Sequence, residues 1–441
     1  MSRRILSAVL LLGLLPAGTA LCLEWHSVPS FATRSLSTMI VDTANQRAVM
    51  FGGGNYSRYH NDIWEFPLDT VTGYFWRPVK AEGPLPPARS GHSAVYDPVA
   101  GRMLVFGGLT AGGKKNDLWS LDLSDHTWQQ LTPSGNLPGP RSWHEAIYCP
   151  PRRSMVVVGG RDAAPYDDVH ELLLDSLVWR VIAAGGTQPT PRWSHVMQYD
   201  GAGNRLVVFG GENIAGQLMN DVWTLDLTAG NEHWTQLSPS GSRPCARSTA
   251  TSCYDPGTRT FYVFGGFEYP GYIALLNDLH ALDLASPAWT ELRPSGTAPS
   301  ERRGTAGIHD PYNRNLVLFA GQSYDDWEND TYYLGTGQPG VAEWQPAAPG
   351  GTGLLLVGPS VSARPVRFRY SLAEPGEIRA RIVDAAGRIV RHLFEGRTTA
   401  ANGCLQWDGN DGRGRKAQAG SYFCYLETAG NGVSKRFVLA E

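Results

Sequence analysis

Six arginines recur along this 441-residue chain, Arg34, Arg89, Arg141, Arg192, Arg247 and Arg302, at steps of 55, 52, 51, 55 and 55 residues. Guanidinium groups that converge on one channel would bind an anion, because each offers a rigid fork of donors to a carboxylate or phosphate. The alternative is that each arginine holds backbone carbonyls, or an acid between neighbouring units, and recurs because an architecture recurs. Three histidines, His92, His144 and His195, each stand three residues after an arginine. Three imidazoles brought together would suit copper or zinc. No nucleophile elbow, phosphate-cradling glycine loop or Cys/His metal spacing is present. The net charge of −3 gives no electrostatic footprint for nucleic acid.

The elements that position these residues are strands. Eight residues after five of the six arginines comes Asp, followed by Pro in three of them, then an apolar run that usually ends in Phe-Gly-Gly, then Asn-Asp-apolar-aromatic in most units, and finally a Trp. The glycine pairs Gly52–Gly53, Gly107–Gly108, Gly159–Gly160, Gly210–Gly211 and Gly265–Gly266, with Ala320–Gly321 as a degenerate sixth, keep the spacing of the arginines. Within a unit, Arg89–Tyr96 reads as a half-buried strand, Arg102–Gly108 as a continuous apolar one, and Leu118–Leu123 alternates with period two. Joints such as Asp97-Pro-Val-Ala-Gly and Asp255-Pro-Gly-Thr carry turn chemistry. Four antiparallel strands per unit, repeated radially, make a β-propeller. Composition agrees: 51 Gly, 30 Pro and 14 Trp with only 18% charged residues suit a turn-rich all-β chain.

The Gly-Gly pairs, the steps Asn61-Asp-Ile-Trp, Asn116-Asp-Leu-Trp and Asn220-Asp-Val-Trp, and the pairs Trp64/Trp76, Trp119/Trp128 and Trp223/Trp234 resemble kelch repeats. The resemblance covers roughly residues 24–346 and departs at Asp167-Asp-Val-His, at Asn329-Asp-Thr-Tyr and at Ala320, which implies a less regular final unit. It implies a six-bladed kelch-type propeller over residues 21–346, and makes the histidines part of the repeat. Either the strand near Trp25 or the one near Trp344 closes the ring. Some kelch relatives are copper radical oxidases of the galactose oxidase type; a Tyr–Cys pair with further His and Tyr ligands, which that activity implies, is not evident here. Other kelch-type propellers are sugar mutarotases or epimerases, which would place an Arg and a carboxylate at the propeller mouth.

Residues that do not repeat carry more information, because the architecture does not explain them. They fall in the loops after each Gly-Gly, on one rim of the disc: Tyr56, Arg58, Tyr59 and His60; Lys114 and Lys115; Arg161, Asp162 and Tyr166; Glu212 and Asn213; Glu268, Tyr269 and Tyr272; Tyr324, Asp325, Asp326 and Trp327. Tyr, Trp and Arg dominate interface hot spots, and variable loops on a rigid scaffold carry function. The candidate ligand-binding residues are therefore Tyr56, Arg58, Tyr59, His60, Lys114, Arg161, Tyr166, Glu212, Asn213, Tyr269, Tyr272, Tyr324, Asp326 and Trp327. Arg89, Arg141, Arg192, Arg247 and Arg302 are the channel candidates, and no catalytic residue, metal or cofactor is expected.

Two further segments flank the repeats. Residues 1–20 read as a signal peptide, with Arg3-Arg4, an apolar stretch Ile5–Leu15 and a small-residue site at Gly18-Thr-Ala20. The stretch is too short to span a bilayer, which needs roughly twenty residues, and Cys22 follows a poor match to a lipid-attachment box. After a Pro/Gly linker at 347–354, residues 355–441 alternate in short strands and read as an all-β sandwich. Trp407-Asp-Gly-Asn-Asp-Gly followed by Gly420-Ser-Tyr-Phe-Cys-Tyr resembles the FlgD-like immunoglobulin-type domain, which implies a bacterial, outward-facing protein and a surface or sorting role. Trp407 and Asp408 read as a core aromatic and a turn acid. Cys245 and Cys253, eight residues apart on an extended run of roughly 26 Å, are too far apart for a disulfide, which needs Cα atoms within about 7 Å. Cys404 and Cys424 flank a predicted hairpin and could pair, and Cys149 reads as a free buried thiol. Together these features point to an exported protein that binds a glycan or protein through the propeller rim, with an enzyme at the propeller mouth or a structural envelope module as the alternatives.

Overall fold

The computed structural model describes residues 23–28, 33–68, 75–269, 273–324, 326–335, 353–357, 361–362, 366–372, 376–384, 388–398, 402–428 and 432–439. The proposed signal peptide, Trp344, Tyr272 and Asp325 lie outside them. Six sheets form the propeller, each built on an antiparallel core from one repeat unit, and three of them add a short parallel strand at the edge. Their innermost strands are Thr38–Asp42, Ser93–Asp97, Glu145–Cys149, Val196–Asp200, Thr251–Asp255 and Ala306–Asp310, in blades one to six. Apolar seams join neighbouring blades. Phe51 and Ile63 of blade one pack with Met103 and Trp128 of blade two, and Ile308 and Phe319 of blade six pack with Met50 and Trp76 of blade one.

Closure also shows in the backbone. Leu36, Gly91, Trp143, Ser194, Thr249 and Gly304 occupy equivalent places before the innermost strands, all with φ between 51° and 64°. The amide of each donates to the carbonyl of its counterpart in the preceding blade at 2.8–3.0 Å, and Leu36 donates to Gly304, so six hydrogen bonds form a closed hoop. A second hoop links each second glycine to the carbonyl of the next blade's arginine: Gly53 to Arg89, and so on round to Gly321 and Arg34, at 2.8–3.0 Å. Glycine is required in this second hoop. A Cβ on Gly108 would come within 2.7 Å of the His92 side chain, and Gly108 has φ of 95°.

The ring is closed by the N-terminal strand Glu24–Val28, which pairs antiparallel with Thr331–Gly335 of blade six. Trp25 is 4% exposed and meets Phe264 and Tyr332 edge-on at 5.7 and 6.3 Å. Trp25→Ala should cost about 3–5 kcal/mol and expose the seam between blades five and six. Hydrogen exchange checks this: protection should fall first in the amides of blades five and six.

Blade six keeps its irregular residue for a stated reason. The first glycines of blades one to three face a histidine of the next blade, and a Cβ there would come within 3.0 Å of the imidazole of His92, His144 or His195. Across the last seam the corresponding residue is Ser37, whose small side chain leaves room for Ala320, with φ of 56°.

The C-terminal unit is a β-sandwich. A three-stranded sheet (Gly353–Val357, Val366–Ser371, Asn402–Trp407) faces a five-stranded one containing Glu377–Asp384, Gly420–Thr428 and Gly432–Leu439. Phe368 and Trp407 from the first sheet and Ile382, Leu426 and Phe437 from the second share one buried cluster. Cys424 is a free buried thiol, and its strand pairs with Glu377–Asp384 and Gly432–Leu439. Cys404 lies on Asn402–Trp407 in the other sheet, paired to Val366–Ser371. The expected Cys404/Cys424 hairpin therefore does not form, because each strand takes a different partner.

Candidate functional site

The six arginines are structural staples. Each guanidinium spans its own blade to an Asp just before or within the third strand, pairing with Asp62, Asp117, Asp168, Asp221 and Asp278 at 2.6–2.7 Å through Nη1; Arg302 grips Asp330 in the same way. The Nη2 groups complete forked pairs at 2.7–3.0 Å. Nη1 also donates to the carbonyl of the first glycine, or of Ala320, at 2.7–3.1 Å. The acid therefore belongs to the same blade, not a neighbouring one. Trp64, Trp119 and Trp223 donate to the second carboxylate oxygen at 2.6–2.8 Å, and His170 and His280 approach it at 2.9 Å in blades three and five. Burial alone would raise these carboxyls; the arginine hydrogen bonds and charge outweigh it and hold Asp62, Asp117, Asp168, Asp221 and Asp278 low. Arg89, Arg141, Arg192, Arg247 and Arg302 are buried in these staples, and among the described residues the lining of the central channel contains no arginine.

That channel is a cavity of about 640 Å³ walled by the six innermost strands. His92 and His144 line it, and each Nε2 lies 2.8 Å from a hydroxyl of the preceding blade, Thr38 and Ser93 respectively. They therefore serve separate seams, and among the described residues no group of three or more His, Cys, Asp or Glu is placed to hold a metal. A cysteine does adjoin a tyrosine: the Cys149 thiol interacts with the Tyr199 phenol of the next blade, which burial and that thiol push up to about 12. Cys149, Cys245 and Cys253 are free. Sequence reasoning missed Glu145, among the described residues the only acid lining the cavity, which burial pushes up to about 8. The available signal was its position four residues after Arg141, where blades one and two carry Thr38 and Ser93.

The rim residues divide by side of the disc. On blades two to four they are largely spent on one another. Lys114 donates to the Asp162 carbonyl at 2.6 Å, Arg141 lies 4.1 Å from the Tyr166 ring centre and Arg161 lies 4.4 Å from that of Trp193. Glu212 is raised by burial despite Arg161, and Asn213 is tied to Gln217 at 2.9 Å. His60 is buried, and burial followed by Arg34 lowers its pKa. Blades five, six and one differ. Tyr56 is 89% exposed, Tyr324 60% and Tyr269 47%, beside exposed Ile273. Tyr56 meets Trp327 across the seam between blades one and six, with ring centres 4.6 Å apart, and the Leu275 amide donates to the Tyr324 hydroxyl at 2.6 Å across the seam between five and six. Arg58 and Asp326 are exposed and Tyr59 is half-buried along the same arc.

A family model for the KLHDC2/KLHL20/DRC7 Kelch-repeats domain matches residues 22–202 and 199–353. The chain belongs to the kelch-repeat family. It is similar to the flagellar outer-arm dynein alpha chain of Chlamydomonas reinhardtii (30% identical over 52% of this chain and 5% of the dynein). It also resembles Acyl-CoA-binding domain-containing protein 4 of Arabidopsis thaliana (27%, over 56% of this chain and 37% of the relative) and Adagio-like protein 1 of Oryza sativa subsp. japonica (30%, over 67% and 47%). The kelch chain thus spans less than half the length of each of these curated relatives. Among solved structures, that of YjhT superposes with a TM-score of 0.54 at 15% identity, covering 68% of this chain and 95% of YjhT, a likeness of fold.

Proposed function

We propose that the kelch propeller is a binding module that holds a protein ligand on the rim of blades five, six and one. The observation that carries this is the arc of exposed Tyr269, Tyr324 and Tyr56 with half-buried Trp327, in which Tyr324 and Tyr56 are braced across two seams. Rigid, amphipathic rings presented to solvent give contact area at low entropic cost, and such residues dominate binding hot spots. A mouth built for proton transfer would gather arginines and carboxylates in one cleft; the channel lining offers a single carboxyl and no arginine, which favours binding over catalysis. In this reading the leader exports the protein and the C-terminal sandwich, through its FlgD-like pattern, anchors or sorts it at a bacterial surface.

The test is binding by the full chain to arrayed proteins and arrayed glycans, beside the variant Tyr56→Ala/Tyr269→Ala/Trp327→Ala. A protein ligand whose affinity falls at least about a hundredfold in the variant is expected, since hot-spot residues cost about 2 kcal/mol or more each. Glycan binding lost in the same variant would keep the rim and change the ligand class. Binding that the variant retains would remove the rim reading.

A further inference from the structure

The seam between blades three and four breaks the chemistry of the seams before it. In the first two, a histidine of one blade meets a hydroxyl of the preceding blade: His92 with Thr38 and His144 with Ser93, both at 2.8 Å. At the third, the histidine is His195 and the facing position holds Glu145. No hydrogen bond joins them. His195 is 1% exposed, and both of its ring nitrogens are buried without a partner, where His92 and His144 each leave only Nδ1 in that state, a difference that calls for an explanation. Both residues belong to the wall of the central cavity of about 640 Å³. We infer that this seam is a binding site for a small organic cation bearing an ammonium group, with Glu145 as counter-charge and His195 as a neutral hydrogen-bond acceptor.

The surroundings select the sign of the ligand. Among the described residues the cavity lining has no lysine or arginine, and Glu145 is its only acid. The arginines behind the site, Arg141 and Arg192, are already neutralised by Asp168 and Asp221. The histidines beside it stay neutral: burial, followed by Arg192, lowers His195 to about 3, and burial and Arg141 hold His144 well below its ordinary value. Glu145 is therefore the only group of this wall that can take on a formal charge near neutral pH, and ionisation makes it negative, which no anion would favour. An uncharged polyol would be served by the hydroxyls that the other seams already carry, and it gives no reason for a carboxyl in the wall. An ammonium supplies the donors that both Glu145 and an imidazole lone pair lack. Glu145, pushed up to about 8 by burial, must release its proton to take such a ligand.

The experiment compares ethanolammonium chloride with ethylene glycol, a neutral molecule of the same size, against the full chain by saturation-transfer NMR and calorimetry. Ethanolammonium should bind saturably, with affinity rising about tenfold per pH unit up to about pH 8. At pH 7 binding should release roughly nine-tenths of a proton, seen as buffer-dependent heat. Glu145→Gln should weaken binding at least tenfold and abolish the pH dependence. Glu145→Thr, which restores the residue type of blade one, serves as the folded control and should not bind. The rim variant Tyr56→Ala/Tyr269→Ala/Trp327→Ala should bind ethanolammonium normally, so failure of this site and failure of the rim are distinguished. Equal binding of ethylene glycol, an affinity insensitive to pH, unchanged binding by Glu145→Gln, or no saturable ammonium binding would each overturn the inference.

Discussion

Asp117→Ala should destabilise the propeller by about 3–5 kcal/mol, the cost of leaving a buried cation without its partner. Arg89 is fully buried, and its two terminal nitrogens hold Asp117 at 2.7 and 2.8 Å. Once the carboxylate is gone, the carbonyls of Pro87 and Gly107 still accept from the guanidinium, at 3.0 and 2.7 Å, but neither carries charge. The Trp119 indole also loses its acceptor, 2.7 Å away. Thermal unfolding should show a fall of several degrees. The double variant R89M/D117L should lose much less, because it removes the buried charge together with its partner. The same staples predict acid sensitivity. Burial would raise these carboxyls, but arginine pairing leaves Asp117 and its four counterparts below the ordinary carboxylate range. A carboxyl depressed in the folded state stabilises above its unfolded pKa of about 3.9, and that stability is lost as pH falls through the folded value. Wild-type protein should therefore weaken steeply below about pH 4, and D117A should show a shallower acid limb. A D117A protein that melts with the wild type would contradict the staple.

The period of the arginines and glycine pairs made the blades legible, because each unit repeats one set of local rules. What the arginines do was not legible. Each grips an acid 27–31 residues further on, and whether the two meet depends on the register of the second and third strands across loops of different length. The closing strand was readable only as two candidates, since pairing Trp25 with Leu334 bridges almost the whole propeller and leaves no local mark. The rim residues do follow the Gly-Gly pairs, but Lys114, Lys115, Glu268 and Trp327 lie on strands, not in loops, and the sequence could not show that Lys114 and Arg161 would be engaged by the next blade and Tyr166 by Arg141 of its own, while Tyr56 and Tyr324 stay exposed. That distinction depends on how each side chain packs once the blades are assembled. Ala320 looked like decay of the repeat, whereas it answers Ser37 across a seam that the linear sequence does not display.

Glu145→Thr should make the protein more stable, and more so as pH rises. Glu145 stands where Thr38 and Ser93 give His92 and His144 a hydroxyl, so threonine should satisfy His195 in the same way while fitting a strand. A hydrogen bond of this kind contributes about 1 kcal/mol, and relieving a buried unpaired group adds to that. The pH arm follows from the proton. Burial lifts Glu145 to about 8 in the folded state, against about 4.3 unfolded, so the folded chain holds a proton that the unfolded chain releases. Stability from this group is fully present below about pH 4 and is lost as pH climbs towards 8. Because Glu145 is only partly buried and reaches channel water, the loss should be about 2–3 kcal/mol, well short of the full linkage value. Urea denaturation at pH 5 and pH 8 checks it. The wild type should lose stability between the two, while Glu145→Thr should hold level and exceed it by about 1 kcal/mol at pH 5 and by about 3–4 at pH 8. Parallel pH profiles for the two proteins would mean that Glu145 is ionised in the folded channel at pH 5 as it is in water. The seam would then contain a counter-charge from elsewhere in the chain, and the ammonium site would lose the proton that distinguishes it.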